Sequence, residues 1–144
     1  MAPLHAQGVF HERISPGTVL VTSTGNLKIS GLLIEAALHP RPGDISRSWP
    51  DREVVDVTDI GRVLYACLVS RWPNGQGHRP FVEPATAMSW GLPPAPTDAH
   101  GWLTPREVRA GVSPTLDVLC DQILSRVPHY DEVPSVSYTH LRAH

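Results

Sequence analysis

Eight histidines, two cysteines and fourteen acidic residues are the groups in these 144 residues that could bind a metal or move a proton. Their spacing argues against most such chemistry. His5 and His11 are six apart, and His39, His78, His100 and His129 fall in separate stretches. No His-x3-His or Cys-x2-Cys pattern occurs, so no metal site is expected. Ser-His-Asp hydrolysis needs a strained nucleophile turn, and no Gly-x-Ser-x-Gly is present. Gly75-Gln76-Gly77 is not followed by a helix start and is no phosphate loop. Cys67 and Cys120 sit among apolar residues and read as buried free thiols, in keeping with a reducing compartment. Trp49, Trp72, Trp90 and Trp102 lie at loop or helix boundaries, as side packing or as anchors for a protein partner.

The elements that must position these groups are bounded by composition. Twelve basic and fourteen acidic residues give a net charge of −2, and Lys28 is the only lysine. That balance draws the chain neither to nucleic acid nor to anionic lipid. An apolar share of 41% and a charged share of 18% fit one small domain. No apolar run reaches the roughly 18 residues of a membrane span, and Met1 leads into Pro3 and His5 without a basic-then-apolar leader. A cytoplasmic location is expected. Fifteen prolines, clustered over 40–50, 73–96 and 128–134, confine the regular structure to the stretches between them.

Residues 4–10 read as the last turns of a helix. Thr18-Val19-Leu20-Val21-Thr22 and Leu27-Lys28-Ile29-Ser30 flank Ser23-Thr24-Gly25-Asn26 and predict a small hairpin, which must pack on something larger. Residues 34–38 predict one helical turn, and 40–52 a loop. The strongest helix is expected over 54–72, with Val57, Ile60, Val63, Leu64, Cys67 and Leu68 spaced by three and four and Val55, Ala66 and Val69 on the other faces. It reads as a central, buried helix, stopped by Trp72-Pro73-Asn74-Gly75. On that reading Asp56, Thr58 and Asp59 occupy its first turns beside the positive end of the dipole, and Ile60→Asp abolishes folding. Thr104-Pro105-Arg106-Glu107 and Ser113-Pro114 start two further helices. The last carries a stripe of Leu116, Leu119, Cys120, Ile123, Leu124 and Val127, with Asp117, Asp121, Gln122 and Arg126 facing water. The fold class expected is mainly α with a small hairpin. Residues 137–144 resemble a translated sequencing adapter, so 1–135 is taken as the domain and 136–144 as an artefactual or disordered tail.

Three stretches carry a resemblance. His11-Glu12-Arg13-Ile14-Ser15-Pro16-Gly17-Thr18 is similar to the catalytic loop His-Arg-Asp-Leu-Lys-Pro-x-Asn of protein kinases. Leu27-Lys28-Ile29-Ser30-Gly31 is similar to the strand entering their Asp-Phe-Gly motif. Asp56-Val57-Thr58-Asp59-Ile60-Gly61-Arg62-Val63-Leu64-Tyr65 is similar to their central helix, Asp-x-x-Ser-Leu-Gly-x-x-Leu-Tyr. The chain thus resembles the C-terminal lobe of a kinase domain, an α+β family fold, with the N-terminal lobe absent. The resemblance implies that His11 and Asp56 hold the loop by hydrogen bonds and that Gly61 lets the central helix pack closely. It also places Arg13 where the family has its catalytic aspartate, Thr18 at the metal-binding asparagine and Gly31 at the second metal-binding aspartate. A guanidinium cannot accept a proton and glycine has no side chain, so phosphoryl transfer loses its base and its metal ligands. The family's Ala-Pro-Glu segment has no match before Asp56, where only Ser48-Trp49-Pro50-Asp51 stands. The arginine that would pair with its glutamate is not evident after Arg126. The Gly-rich loop and strand lysine have no room before His11, and Lys28, just ahead of Gly31, is no substitute.

The resemblance therefore implies a pseudokinase fragment, without cofactor or metal and without nucleotide binding, that regulates or scaffolds through a protein partner. The His-x-x-Ile-Ser-Pro loop and Pro-rich region resemble actinobacterial kinase-like regions, some attached to the lipid II flippase MurJ (MviN) in peptidoglycan synthesis. A forkhead-associated domain is the partner this implies; the Pro-rich loops offer another docking surface. The alternative is a fragment of a divergent, active serine/threonine kinase.

Overall fold

In the computed structural model, which describes residues 1–40, 47–73 and 90–125, the longest helix begins ahead of its apolar pattern. The Ser48 N–H donates to Asp51 Oδ2 at 3.2 Å, and Pro50 sits in the first turn, where its missing N–H costs nothing. The helix, Trp49–Val69, therefore starts within the stretch expected to be loop. It ends before Trp72, at Ser70, which takes the left-handed conformation (φ 55°) and donates its N–H to Ala66 O at 2.9 Å.

In chain order the elements are α1 (Ala2–His5), β1 (Val19–Val21), β2 (Leu27–Ile29), α2 (Ile34–Leu38), α3 (Trp49–Val69), β3 (Thr97–Asp98), β4 (Gly101–Trp102), α4 (Pro105–Val108) and α5 (Pro114–Ser125). β1 and β2 pair antiparallel, Val19 opposite Ile29 and Val21 opposite Leu27, around the expected turn. Leu20, Val21, Leu27 and Ile29 of this hairpin are exposed. β3 and β4 form a second antiparallel pair that periodicity does not announce. Two-residue strands carry no alternation, and the Asp98 side chain closes their turn by accepting the His100 N–H at 2.7 Å.

The core lies between α3, α4 and α5. Tyr65, Val69, Ala95, Val112, Cys120 and Leu124 form it, with Leu64, Leu68, Trp102 and Val108 packed around them. Thr104 and Glu107 start α4 as their spacing predicts, the Thr104 N–H donating to Glu107 Oε2 at 2.7 Å. Asp117 Oδ1 accepts the Arg106 N–H at 2.7 Å, an exposed bond that ties α5 to α4 at the surface.

The apolar pattern misplaces the buried face of α3. Val57 and Ile60 are 42% and 38% exposed, whereas Asp56, Thr58, Asp59, Gly61, Tyr65 and Val69 are buried. Asp56 and Asp59 also lie beyond the first two turns, so they do not serve the helix dipole. The Ile60→Asp expectation falls with this, since a charge there reaches solvent. On α5, Cys120 and Leu124 are buried but Leu116 and Leu119 are exposed. Cys120 is a buried free thiol, while Cys67 is exposed. Gly75-Gln76-Gly77, His78, Arg126, Val127, His129 and the 136–144 tail lie outside the described residues.

Candidate functional site

The N-terminal half of α3 buries polar side chains because its neighbour is a loop, not a helix. Residues 10–18 run beside it with Phe10, His11, Glu12, Arg13, Ile14, Ser15 and Thr18 buried. A loop in that position leaves backbone N–H groups without intrinsic partners. The fully buried Asp56 supplies them. Its Oδ2 accepts the His11 N–H at 2.9 Å and its Oδ1 the Glu12 N–H at 2.6 Å. The His5 Nε2–H donates to the same Oδ2 at 2.8 Å, while His5 Nδ1 lies 3.6 Å from Glu53 Oε1. Three donors around one carboxylate are what a buried charge requires.

The His11 ring crosses to the hairpin. Its Nε2–H donates to Ser30 O at 2.7 Å and its Nδ1 accepts the Arg13 N–H at 3.2 Å, so one neutral tautomer satisfies both bonds. Glu12, held between these contacts, has φ 61°, a conformation that a non-glycine residue adopts only when its surroundings impose it. Its Oε1 lies 3.3 Å from Arg52 Nε. The loop's outer side is closed by rings. Phe10 stacks on His5 at 5.1 Å and meets Trp49 edge-on at 5.7 Å. The Trp49 indole lies so close over Gly8 (φ 75°) that a Cβ there would fall 2.7 Å from it.

Arg13, Thr18 and Gly31 are drawn together through these bonds. The Arg13 side chain is buried, its Nε–H donating to His39 O at 2.7 Å and its Nη1 to Glu12 O. Thr18 Oγ1 accepts the Ser15 N–H at 2.9 Å and lies 3.3 Å from Arg13 O and 3.2 Å from Ser15 O, to which its proton can go. Thr18 O in turn accepts the Ser30 N–H at 2.8 Å, next to Gly31. Gly31 has φ 78°, and a Cβ there would sit 2.5 Å from Glu35 Cγ. Gly61 stands apart from this group. It faces α5, where a Cβ would run into Ile123 Cγ2 and come within 3.2 Å of Leu124 Cδ2.

Chemically, the cluster fixes backbone and leaves no carboxylate where the resemblance would need one. Arg13 can only donate, Thr18 is tied into its own turn and Gly31 carries nothing. Among the described residues, no group of three or more His, Cys, Asp or Glu is placed to hold a metal ion. None of their helices is long and apolar enough to cross a membrane. Sequence reasoning missed His5, whose bond to Asp56 spans 51 positions, and the Arg52–Glu12 and His39–Arg13 contacts. No local pattern marks any of them.

No family model and no solved structure matches the chain. Curated proteins do. A stretch of 46 residues is 50% identical to serine/threonine-protein kinase stk11 of Xenopus laevis, covering 31% of this chain and 11% of that protein. The STK11 kinase of Homo sapiens is 51% identical over 41 residues, covering 28% and 10%. That of Rattus norvegicus is 54% identical over 37 residues, covering 26% and 8%. The chain thus spans about a tenth of the length of the curated relatives it matches, and a part of it is similar to serine/threonine protein kinases.

Proposed function

We propose that the chain is a kinase-like C-terminal lobe that does not transfer phosphate and acts by binding, as a regulatory or scaffolding pseudokinase module. The local likeness to serine/threonine kinases supports the kinase part of this reading. The buried clamp of Asp56 on the His11 and Glu12 amides supports it further, since kinases hold their catalytic loop in this manner. The observation that carries the loss of catalysis is Arg13. Where the family places a carboxylate to receive the substrate's proton, this chain has a guanidinium, turned inward onto two carbonyl oxygens. The absent general base alone is worth about 10²–10⁴ in rate.

The test is incubation of the purified chain with γ-labelled ATP, magnesium and a generic protein substrate, alongside a thermal-shift titration with Mg-ATP. Neither phosphate transfer nor stabilisation is expected. Either one would instead favour a divergent active serine/threonine kinase. The finer reading is a cytoplasmic module of peptidoglycan synthesis, attached to the lipid II flippase MurJ in an actinobacterium and docked by a forkhead-associated domain. It rests on the His11-x-x-Ile14-Ser15-Pro16 loop. Phosphothreonine-dependent capture of the phosphorylated chain by a purified forkhead-associated domain tests it, and loss of capture after phosphatase treatment is the expected control.

A further inference from the structure

The segment Leu92-Pro93-Pro94-Ala95-Pro96 lies outside the Asp56 cluster, and its sequence dictates its backbone. Each proline fixes its own φ, and Leu92, Pro93 and Ala95 each precede a proline, which disfavours the helical region. What remains is extended or polyproline II chain with about three residues per turn. That extended backbone is paired, Pro94 forming an isolated parallel β-bridge with Trp72. Ala95 is buried in the main core and Leu92 and Pro96 are half-buried, whereas Pro93 and Pro94 are exposed.

Three backbone bonds hold the segment in place. The Trp72 N–H donates to Pro93 O at 2.8 Å, the Ala95 N–H donates to Trp72 O at 2.8 Å, and the Leu103 N–H donates to Pro96 O at 2.9 Å. One side is thus fastened to the fold while proline rings stand on the outside. A Pro-x-x-Pro segment held in this way has already lost the freedom that a disordered ligand must surrender on docking. No lysine or arginine occurs over 90–100, but the exposed Arg71 stands next to Trp72, the bridge partner of Pro94, and brings a positive charge beside the rings.

We propose that residues 92–96 are a preordered polyproline II ligand for a protein partner with a groove lined by aromatic side chains. The proposal is independent of the kinase reading. The full chain is titrated against immobilised WW, EVH1 and SH3 domains as probes. Saturable binding to at least one of them is expected. Pro93→Ala with Pro94→Ala should weaken it at least about tenfold and lower the melting temperature only modestly, through the added freedom of the unfolded chain, because both rings lie outside the core. The proposal is overturned by no binding to any probe at a chain concentration of about 1 mM. It is equally overturned by binding that the folded double variant retains.

Discussion

At the scale of residues, Asp56 is what fastens the buried loop of residues 10–18 to α3. Its carboxylate is fully buried and accepts hydrogen bonds from His5, His11 and Glu12. Charge-assisted bonds of this kind contribute about 1.5–3 kcal/mol each, and donors left unsatisfied add a desolvation cost. Asp56→Ala is therefore expected to cost at least about 3 kcal/mol, read as a drop in the urea-unfolding free energy by tryptophan fluorescence. A loss below about 1 kcal/mol would mean that the loop holds its shape without the clamp. The pairing of His11 with Asp56 was legible only through the kinase resemblance, because 45 positions separate them. His5 was not legible at all. Its partner is chosen by the path of the chain past α3, which no spacing rule encodes.

At the scale of elements, α3 offers a contrast between neighbours. Ile60 is 38% exposed, whereas Gly61 faces α5 with no room for a methyl group against Ile123 and Leu124. Helix propensity alone favours Gly61→Ala by about 1 kcal/mol. Overpacking opposes it by about 1–3 kcal/mol, and since the obstructing atoms lie on a packed helix, overpacking should win. Gly61→Ala is expected to lower stability, and adding Ile123→Ala, which removes the obstructing Cγ2, should recover part of the strain. Ile60→Asp should cost less than about 1 kcal/mol. Chemical denaturation of the four proteins decides the matter; an Ile60→Asp variant worse than Gly61→Ala would reverse the assigned faces. Capping patterns and β-branched runs made the hairpin, α4 and α5 legible. The start of α3 was hidden because Pro50 reads as a break unless it is placed in the first turn. Its buried face was hidden because half of that face meets loop amides and a glycine contact, and neither leaves an apolar signature.

At the scale of the whole molecule, the three-helix core sets how stability responds to pH. The Tyr65 hydroxyl donates to Leu103 O at 2.9 Å, and burial pushes its phenol up from 10.0 to about 12. Cys120, fully buried 3.8 Å from Gly61 O, is pushed from 9.0 up to about 12, first by desolvation and then by Asp117 and Asp121. Both groups hold their protons more tightly in the folded chain than in the unfolded one. Below about pH 9 they are protonated in both states and add no pH dependence. Above it the unfolded chain releases the thiol proton, then the phenol proton from 10.0 upward, while the folded chain keeps both. The native state then binds more protons, so stability falls as pH rises from 9.0 toward about 12. Cys120→Ala removes the earlier of the two releases. Its unfolding midpoint, lower overall for the lost packing, should stay level until the phenol range and decline less steeply before it. A wild-type midpoint that holds constant through that interval would show that Tyr65 and Cys120 release their protons as readily in the folded chain as in the unfolded one.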